Sequence, residues 1–344
     1  MADTPTSSRS RVIRDQIELL SLAEGFFQSS ILFTLQRLDV FALLGNGGAT
    51  LDELAARLNA PSGTLGRLLN AGVMLKLLVA EGTHFRLSEV AERLLLPSAG
   101  DSYLGDWLAL LDQFSGMYTR LDEAILSGGP VISESDYHGD DPQRTRQYIR
   151  AMHSYASLRG EDLAHYLDTS NCQSLLDLGC GPGTFAFHLG RRNPRLAITL
   201  ADFPGVLETT REIRASFDLE NEITFLPLDL NRDAIPGQYD LILASNVLQC
   251  FEEETRRDIM HRLHQALRPG GSVVIQAQHL NENRQGGRWA VFVDLNLLCT
   301  TQHGQNHTLA DTRCWLQDAG FVNIESCSMS IYGTTSFVRG YRPQ

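Results

Sequence analysis

The sequence predicts an α/β protein: a Rossmann-like domain with a mostly parallel sheet, preceded by a smaller and mainly helical domain. Three observations carry the prediction. Residues 174–179, SLLDLG, form a short apolar strand pattern that runs into a loop holding Gly179, Gly181 and Gly183. Asp202 follows nineteen residues after Gly183, at the close of a second strand pattern, AITLAD. From Asn171 onward strand patterns alternate with helical ones, which specifies parallel strands with helices on both faces. A strand, a glycine loop, a helix and a second strand ending in a carboxylate describe half of a nucleoside-binding fold.

Each further element follows from its pattern. Strands are expected at 223–230, 239–248 and 271–278, separated by the helical stretches TFAFHLGRR, VLETTREIRASF and EETRRDIMHRLHQALRP. After the helix DTRCWLQDAGF, the segment SCSMSIYGTTSFVRGYR supplies two antiparallel edge strands, completing seven strands in a domain of residues 171–344. Residues 101–170 read as helices around a polar, acidic loop, GGPVISESDYHGDDPQ, and lead into the glycine loop as a roof over the ligand. Residues 1–100 repeat apolar positions at helical spacing and then alternate as LVAEGTHFRLS, the pattern of helices followed by a two-stranded wing. Within them Thr50 is placed as an N-cap with Glu53 three residues on, a capping box.

Composition bounds the partners. The chain has 344 residues, 43% of them hydrophobic, enough for one large domain or two ordinary ones. A winged helix suggests DNA, but the helix predicted over 62–78 carries only Arg67 and Lys76. Residues 1–100 hold nine Lys and Arg against ten Asp and Glu, whereas a DNA reader needs a basic face. The net charge of −12 points the same way for nucleic acid and for an anionic membrane, so the apolar faces of this domain are assigned to homodimerisation. The N-terminal stretch lacks an apolar signal core and no run reaches about eighteen apolar residues, so a cytoplasmic protein is expected. The six cysteines lack CxxC spacing; reduced, mostly buried thiols are expected, and no metal site.

The glycine loop alone admits several nucleoside cofactors. Here the sixth position of a GxGxxG pattern is Thr184, and the acidic Asp177 directly precedes the glycines. A dinucleotide needs its pyrophosphate at the helix N-terminus. S-adenosylmethionine (SAM) carries instead a cationic sulfonium and an amino-acid tail, which suit a carboxylate and backbone carbonyls. Asp202 is placed to accept from both ribose hydroxyls, and Asp229, closing LPLDL, to accept from an adenine amino group. The residues favour SAM.

Taken together, LLDLGCGPGTFAFHL, ITLADFPGVLETT, FLPLDL, YDLILASNVLQCF and LRPGGSVVIQAQ resemble the motifs of class I SAM-dependent methyltransferases. The segment VFALLGNGGATLDELAARLNAPSGTLGRLLNAGVMLKLL is similar to the dimerisation domain of the plant-type O-methyltransferase family. The resemblance runs over residues 15–340. It implies a Rossmann-like SAM domain and a winged-helix dimerisation domain, acting on a small, flat, often aromatic secondary metabolite. It also implies that Gly179, Gly181, Gly183, Asp177, Asp202, Phe203, Asp229, Leu230, Ser245 and Met152 hold the cofactor. The acceptor would meet Tyr148, Met152, Gln249, Phe292, Asn296 and Thr300, with Phe27 and Phe33 entering from a partner subunit and Trp107, Phe114, Tyr118 and Trp289 among the aromatic lining.

One departure stands out. Where the family commonly has leucine, histidine, aspartate and tryptophan, this chain reads Leu248, Gln249, Cys250 and Phe251. An amide takes no proton at neutral pH, so Gln249 is expected to orient an acceptor, not to deprotonate it. HGQNHT at 303–308 likewise puts Asn306 and His307 where the family has glutamate and arginine. His279 and His303 are the candidate replacement bases. His188, His261 and His264 are expected on the outer sides of covering helices, and Cys250 as a small buried thiol. Methyl transfer to an N, C or low-pKa O atom fits a site without a base; the alternative is a SAM-binding enzyme of the same family that does not methylate.

Overall fold

The computed structural model describes residues 15–132, 141–329 and 335–344. The middle of the acidic loop, and the turn expected between the last two strands, lie outside the described residues. The chain divides into two compact units, Met1–Ala99 and Gly100–Gln344, so the helices of 101–170 belong with the sheet and do not form a region of their own.

In the first unit α1 (Gln16–Ala23), α2 (Gly25–Arg37) and α3 (Val40–Leu44) precede β1 (Ala49–Thr50), α4 (Leu51–Leu58) and α5 (Ser62–Met74). The wing, β2 (Leu78–Glu81) and β3 (His84–Leu87), is joined by β1 in the order β1-β3-β2, and α6 (Glu89–Leu95) closes the unit. Helix α5 ends before residue 78 because Lys76 adopts a left-handed turn, φ 60°. Leu35, Phe41, Leu54, Leu69, Leu78 and Leu87 make the core. Phe33 is part of that core, so it is unsuited to line an acceptor pocket; Phe27 is exposed. Ile17, Leu20, Leu22 and Phe26 are also exposed, an apolar face on α1 and α2.

The capping box forms as read. Thr50 Oγ1 accepts from the Glu53 N–H at 3.3 Å, and Glu53 Oε2 accepts from the Thr50 N–H at 2.7 Å. Thr50→Ala is expected to destabilise α4 by about 1 kcal/mol. Hydrogen exchange on the full chain would show this as faster exchange of the first-turn amides of α4 with little change elsewhere.

The second unit begins with α7 (Gly105–Tyr118), α8 (Leu121–Ser127) and the 25-residue α9 (Pro142–Tyr166). Then β4 (Ser174–Leu178), α10 (Thr184–Arg192), β5 (Ala197–Asp202), α11 (Pro204–Arg214) and β6 (Ile223–Pro227) alternate. They are followed by β7 (Tyr239–Ser245), α12 (Glu253–Ala266), β8 (Leu267–Ala277), α13 (Arg288–Thr300), α14 (Leu309–Asp318), β9 (Val322–Met329) and β10 (Thr335–Tyr341). The seven strands are ordered β6-β5-β4-β7-β8-β10-β9, and only β10 runs antiparallel to its neighbours.

Successive strand residues face opposite sides, so a strand buried on both must be apolar throughout. Leu175, Ile198, Leu241 and Val274 pack under α9, α10 and α11 with Leu163, Phe187 and Leu207. Leu176, Ile242 and Ile275 pack under α12 and α14 with Ile259, Leu263 and Leu316. Two strands end earlier than their patterns suggest. β6 stops at Pro227, which has no N–H to continue a ladder, and β7 stops at Ser245 because Asn246 turns left-handed, φ 52°. Leu178 pairs with Ala201 and with Ala244, and Asp202 with Pro227, which brings the carboxyl ends of β4 to β7 to one edge.

Candidate active site

Strand order reverses at β4, so the crevice beyond its carboxyl end is where a ligand of an open α/β sheet binds. The glycine loop occupies that point. Gly179, Gly181 and Gly183 all have left-handed backbones, φ 62°, 50° and 71°. A Cβ on Gly179 would lie 2.6 Å from Val247 Cγ2, whereas one on Gly181 would meet no atom within 4 Å. Gly179 therefore serves packing, and Gly181 keeps the backbone bare toward open space. The loop is pinned from two sides: Asp202 Oδ2 accepts from the Gly181 N–H at 2.8 Å, and the Thr210 hydroxyl on α11 donates to the Gly181 carbonyl at 2.6 Å. Asp202 Oδ1 accepts from the Phe203 N–H at 2.7 Å, and the Phe203 ring stays exposed.

Asp177 is buried directly under the loop, and no hydrogen-bond donor among the described residues reaches its carboxylate. Burial first, and the Asp202 charge second, push its carboxyl well above the ordinary range. Such a group is stabilised by an arriving cation.

The other predicted cofactor residues are placed less simply. Asp229 does lie beyond the end of β6, but its oxygens serve its own turn, accepting from Asn231 N at 2.9 Å and Arg232 Nε at 2.8 Å. Leu230 is buried behind it. Ser245 donates to Gln276 Oε1 and accepts from Asn246 Nδ2 at 3.3 Å, so its hydroxyl is engaged within the sheet edge. Met152 and Tyr148 lie on α9 with Trp107, Leu110 and Phe114 of α7.

Gln249 is buried in the short 3-10 turn Leu248–Cys250 after β7, and its carbonyl accepts from the Gln305 N–H at 3.0 Å. That bond joins the Gln249 segment to the loop 301–308 after α13. The side-chain amide of Gln249 has no hydrogen-bond partner among the described residues. Cys250 is exposed, contrary to expectation, because the turn directs it outward. On α13, Phe292 is exposed, Thr300 is buried and donates to the Asn296 carbonyl at 2.8 Å, and Asn296 Oδ1 is enclosed without a donor.

The histidines divide sharply. His279 is buried with Nδ1 at 2.8 Å from Ser336 Oγ and Nε2 at 3.1 Å from Thr312 Oγ1. Burial lowers its pKa to about 4, and with both nitrogens engaged the ring acts as a pin between β10 and α14. His307 is held at 2.7 Å from Arg256 Nη1 and edge-on to Trp315; burial and Arg256 pull its pKa to about 3. His303 is exposed in the loop. His188 is buried, not solvent-facing, because Gly160 of α9 lets its ring fit against that helix. His261 is exposed as expected, and His264 is half-buried against Phe321.

Three features escaped the sequence reading. Thr210 holds the glycine loop; His153 of α9 reaches Thr184 Oγ1 at 2.8 Å; and the Tyr155 hydroxyl accepts from Trp289 Nε1 and Gln278 Nε2, both at 2.8 Å. The spacing of Met152 and Tyr155 on one helix was the available signal for the last.

A glycine loop at the switch point, tied to a carboxylate at the end of the next strand, in a seven-stranded sheet with one antiparallel strand, defines a class I SAM-dependent methyltransferase. The chain belongs to the O-methyltransferase family: residues 118–322 match the model of the O-methyltransferase domain, and residues 20–97 that of the O-methyltransferase dimerisation domain. It is 30% identical over 337 residues to the tetracenomycin polyketide synthesis 8-O-methyl transferase TcmO of Streptomyces glaucescens, covering 96% of this chain and 98% of that protein. It is 29% identical over 265 residues to the N,N-dimethyltransferase OxyT of Streptomyces rimosus, covering 75% and 76%. Human N-acetylserotonin methyltransferase, solved in complex with SAM, shares the fold at a TM-score of 0.85 and 24% identity, covering 96% of this chain and 99% of that one. The residues present fit SAM: an uncompensated buried carboxyl at Asp177, bare backbone at Gly181, an exposed ring at Phe203.

Proposed function

We propose that this methyltransferase acts on a small, flat, mostly apolar acceptor whose lone pair is available on arrival, with Gln249 orienting the acceptor and no side chain removing its proton. SAM supplies a methyl group on a sulfonium whose departure needs no proton. Asp177, Gly181, Asp202 and Phe203 hold the cofactor, with Met152 between cofactor and acceptor. Gln249 holds the acceptor by a hydrogen bond while Tyr148, Phe292, Asn296 and Thr300 fix its plane and exclude water. The single observation behind this reading is Gln249, a buried residue whose side-chain amide meets no hydrogen-bond partner among the described residues, where the family resemblance places a base. It is supported by the state of two other imidazoles: His279 and His307 have depressed pKa values, both nitrogens of His279 are engaged, and Nε2 of His307 is held against Arg256.

An ordinary phenol, of pKa near 10, is then a poor acceptor near neutral pH. An acidic phenol, a carboxylate, an enolate or a neutral amine is a good one. The relatives named above act on O and on N, and the proposal takes in both atoms. The same reading makes the protein a cytoplasmic homodimer joined through its dimerisation domain, with the exposed apolar residues of α1 and α2 in the interface, and gives it no nucleic-acid or membrane partner. No described helix is long and apolar enough to cross a membrane.

Labelled methyl transfer from SAM across acceptors of graded pKa tests the mechanism. The pH profile of kcat/KM is expected to follow the ionisation of the acceptor itself. Gln249→Ala should lower kcat/KM about tenfold, the loss of one hydrogen bond, without moving that profile. Gln249→His should extend activity to ordinary phenols. A pH profile that stays put whatever the acceptor would mean that a protein base exists, with His303 the first candidate.

A further inference from the structure

Helix α9 meets the cofactor loop through one polar contact that the mechanism above does not use. His153 Nδ1 lies 2.8 Å from Thr184 Oγ1 and 3.4 Å from Ser157 Oγ. Thr184 is 1% exposed and is the first residue of α10, directly after Gly183. No side chain caps that helix: its N-cap is Gly183, in a left-handed conformation. The Thr184 hydroxyl is thus where α9 grips the end of the glycine loop.

The grip is built into a tight seam. His188 of α10 fills the space above Gly160 of α9, where a Cβ would approach its ring to 2.1 Å. The His153 and His188 rings both meet Phe217 edge-on, with centroids 6.0 and 5.7 Å away, and His188 Nε2 is enclosed without a partner. Charged groups surround the seam. Asp101 and Asp106 approach from before and within α7, Arg150 and Glu161 from α9, and His188 and Arg191 from α10. Two of the acids lie beside arginines, Asp106 with Arg150 at 3.5 Å and Asp101 with Arg191 at 3.9 Å. Asp101 and Asp106 still favour a charged His153 ring, but its burial outweighs them.

We propose that His153 is a positioning residue for the cofactor loop: its neutral ring holds Thr184, and its protonation weakens SAM binding. A positive ring at the first turn of α10 opposes the positive end of the helix dipole. It also adds a cation beside a loop that must bind one. Burial, partly offset by Asp101, lowers the ring's pKa below its ordinary value of 6.5. The sign follows. The folded, loaded protein binds the His153 proton more weakly than the unloaded one, so affinity is complete at neutral pH and falls on acidification below pH 6.5.

This inference takes SAM binding by the glycine loop as given, and calorimetry with SAM on the full chain between pH 5 and 8 tests it. The wild-type Kd should hold steady near neutrality and rise below pH 6.5, by up to about tenfold per pH unit, the limit for one linked proton. His153→Asn places an amide at the position of Nδ1, keeping a partner for Thr184 without titrating; it should bind at pH 7.5 within about threefold of wild type and lose the acid-side slope. His153→Phe and Thr184→Val should weaken binding about tenfold at every pH, as expected for one lost buried bond. Carbon-detected titration of the His153 ring in the unloaded protein should give a pKa below 6.5 that drops further when SAM is added. An unchanged slope in His153→Asn, or a ring pKa that SAM does not move, overturns the proposal. Absence of SAM binding at all pH values would instead remove the cofactor assignment beneath it.

Discussion

Asp202→Ala is expected to raise the Kd for SAM by about a hundredfold or more while leaving the protein folded. The carboxylate accepts from the Gly181 N–H at 2.8 Å and the Phe203 N–H at 2.7 Å, so it fixes the loop and the start of α11 together. Hydrogen bonds to a charged group contribute about 1.5–3 kcal/mol each, and a hundredfold change in Kd corresponds to about 2.7 kcal/mol. Alanine removes both bonds and, in our assignment, the acceptor for the ribose hydroxyls as well. The Asp202 side chain lies at a strand end outside the core, so the cost should appear in binding before it appears in folding. Its removal also takes away the neighbouring charge that helps raise the Asp177 carboxyl, which should then titrate closer to the ordinary range. Calorimetry beside circular dichroism measures both. A Kd within a few fold of wild type would show that Asp202 only shapes the loop.

Phe187→Ala should produce the largest loss of stability in the second unit, about 3–5 kcal/mol. The ring is 0% exposed and packs against Phe217 at 4.9 Å between centroids. It also lies directly beneath Gly183, where an added Cβ would come within 2.9 Å of its Cζ. The cavity left behind would therefore open under the glycine loop, with backbone on one side that has no side chain to fill it. Against a typical total of 5–15 kcal/mol this is a large fraction. Urea denaturation should show a lower midpoint, and saturating SAM should restore part of it because the ligand binds only the folded form. A loss below 1 kcal/mol would mean that the site collapses onto itself.

What could be read from the sequence was whatever a few neighbouring residues dictate. The glycine loop, the strand ending at Asp202 and the Thr50 capping box depend on contacts a few residues apart or on backbone freedom. The alternation of strands and helices followed for the same reason. What could not be read depends on partners far along the chain. His279 appeared available at a strand end, but Ser336 and Thr312, 57 and 33 residues away, claim its nitrogens. His188 was placed outside because nothing local announces that Gly160 makes room for it. Asp229 follows the end of β6, and its engagement with Asn231 and Arg232 is a turn preference that competes with any ligand role. The end of β7 turned on the left-handed Asn246, which short polar side chains tolerate but do not advertise.

The length of α9 has a consequence for how this enzyme changes its tastes. Its 25 residues form a rod of about 37 Å. Within about two turns it presents Met152 and Tyr148 to the aromatic cluster, His153 to the cofactor loop and Tyr155 to Trp289 and Gln278. A helix transmits displacement along its axis, so remodelling one of those contacts shifts the others. Mutants selected for new acceptors through this helix should therefore show correlated drift in their affinity for SAM, whereas changes on α13 beyond Trp289 should leave it alone. The route by which such a protein diversifies runs more freely through one wall of its pocket than through the other.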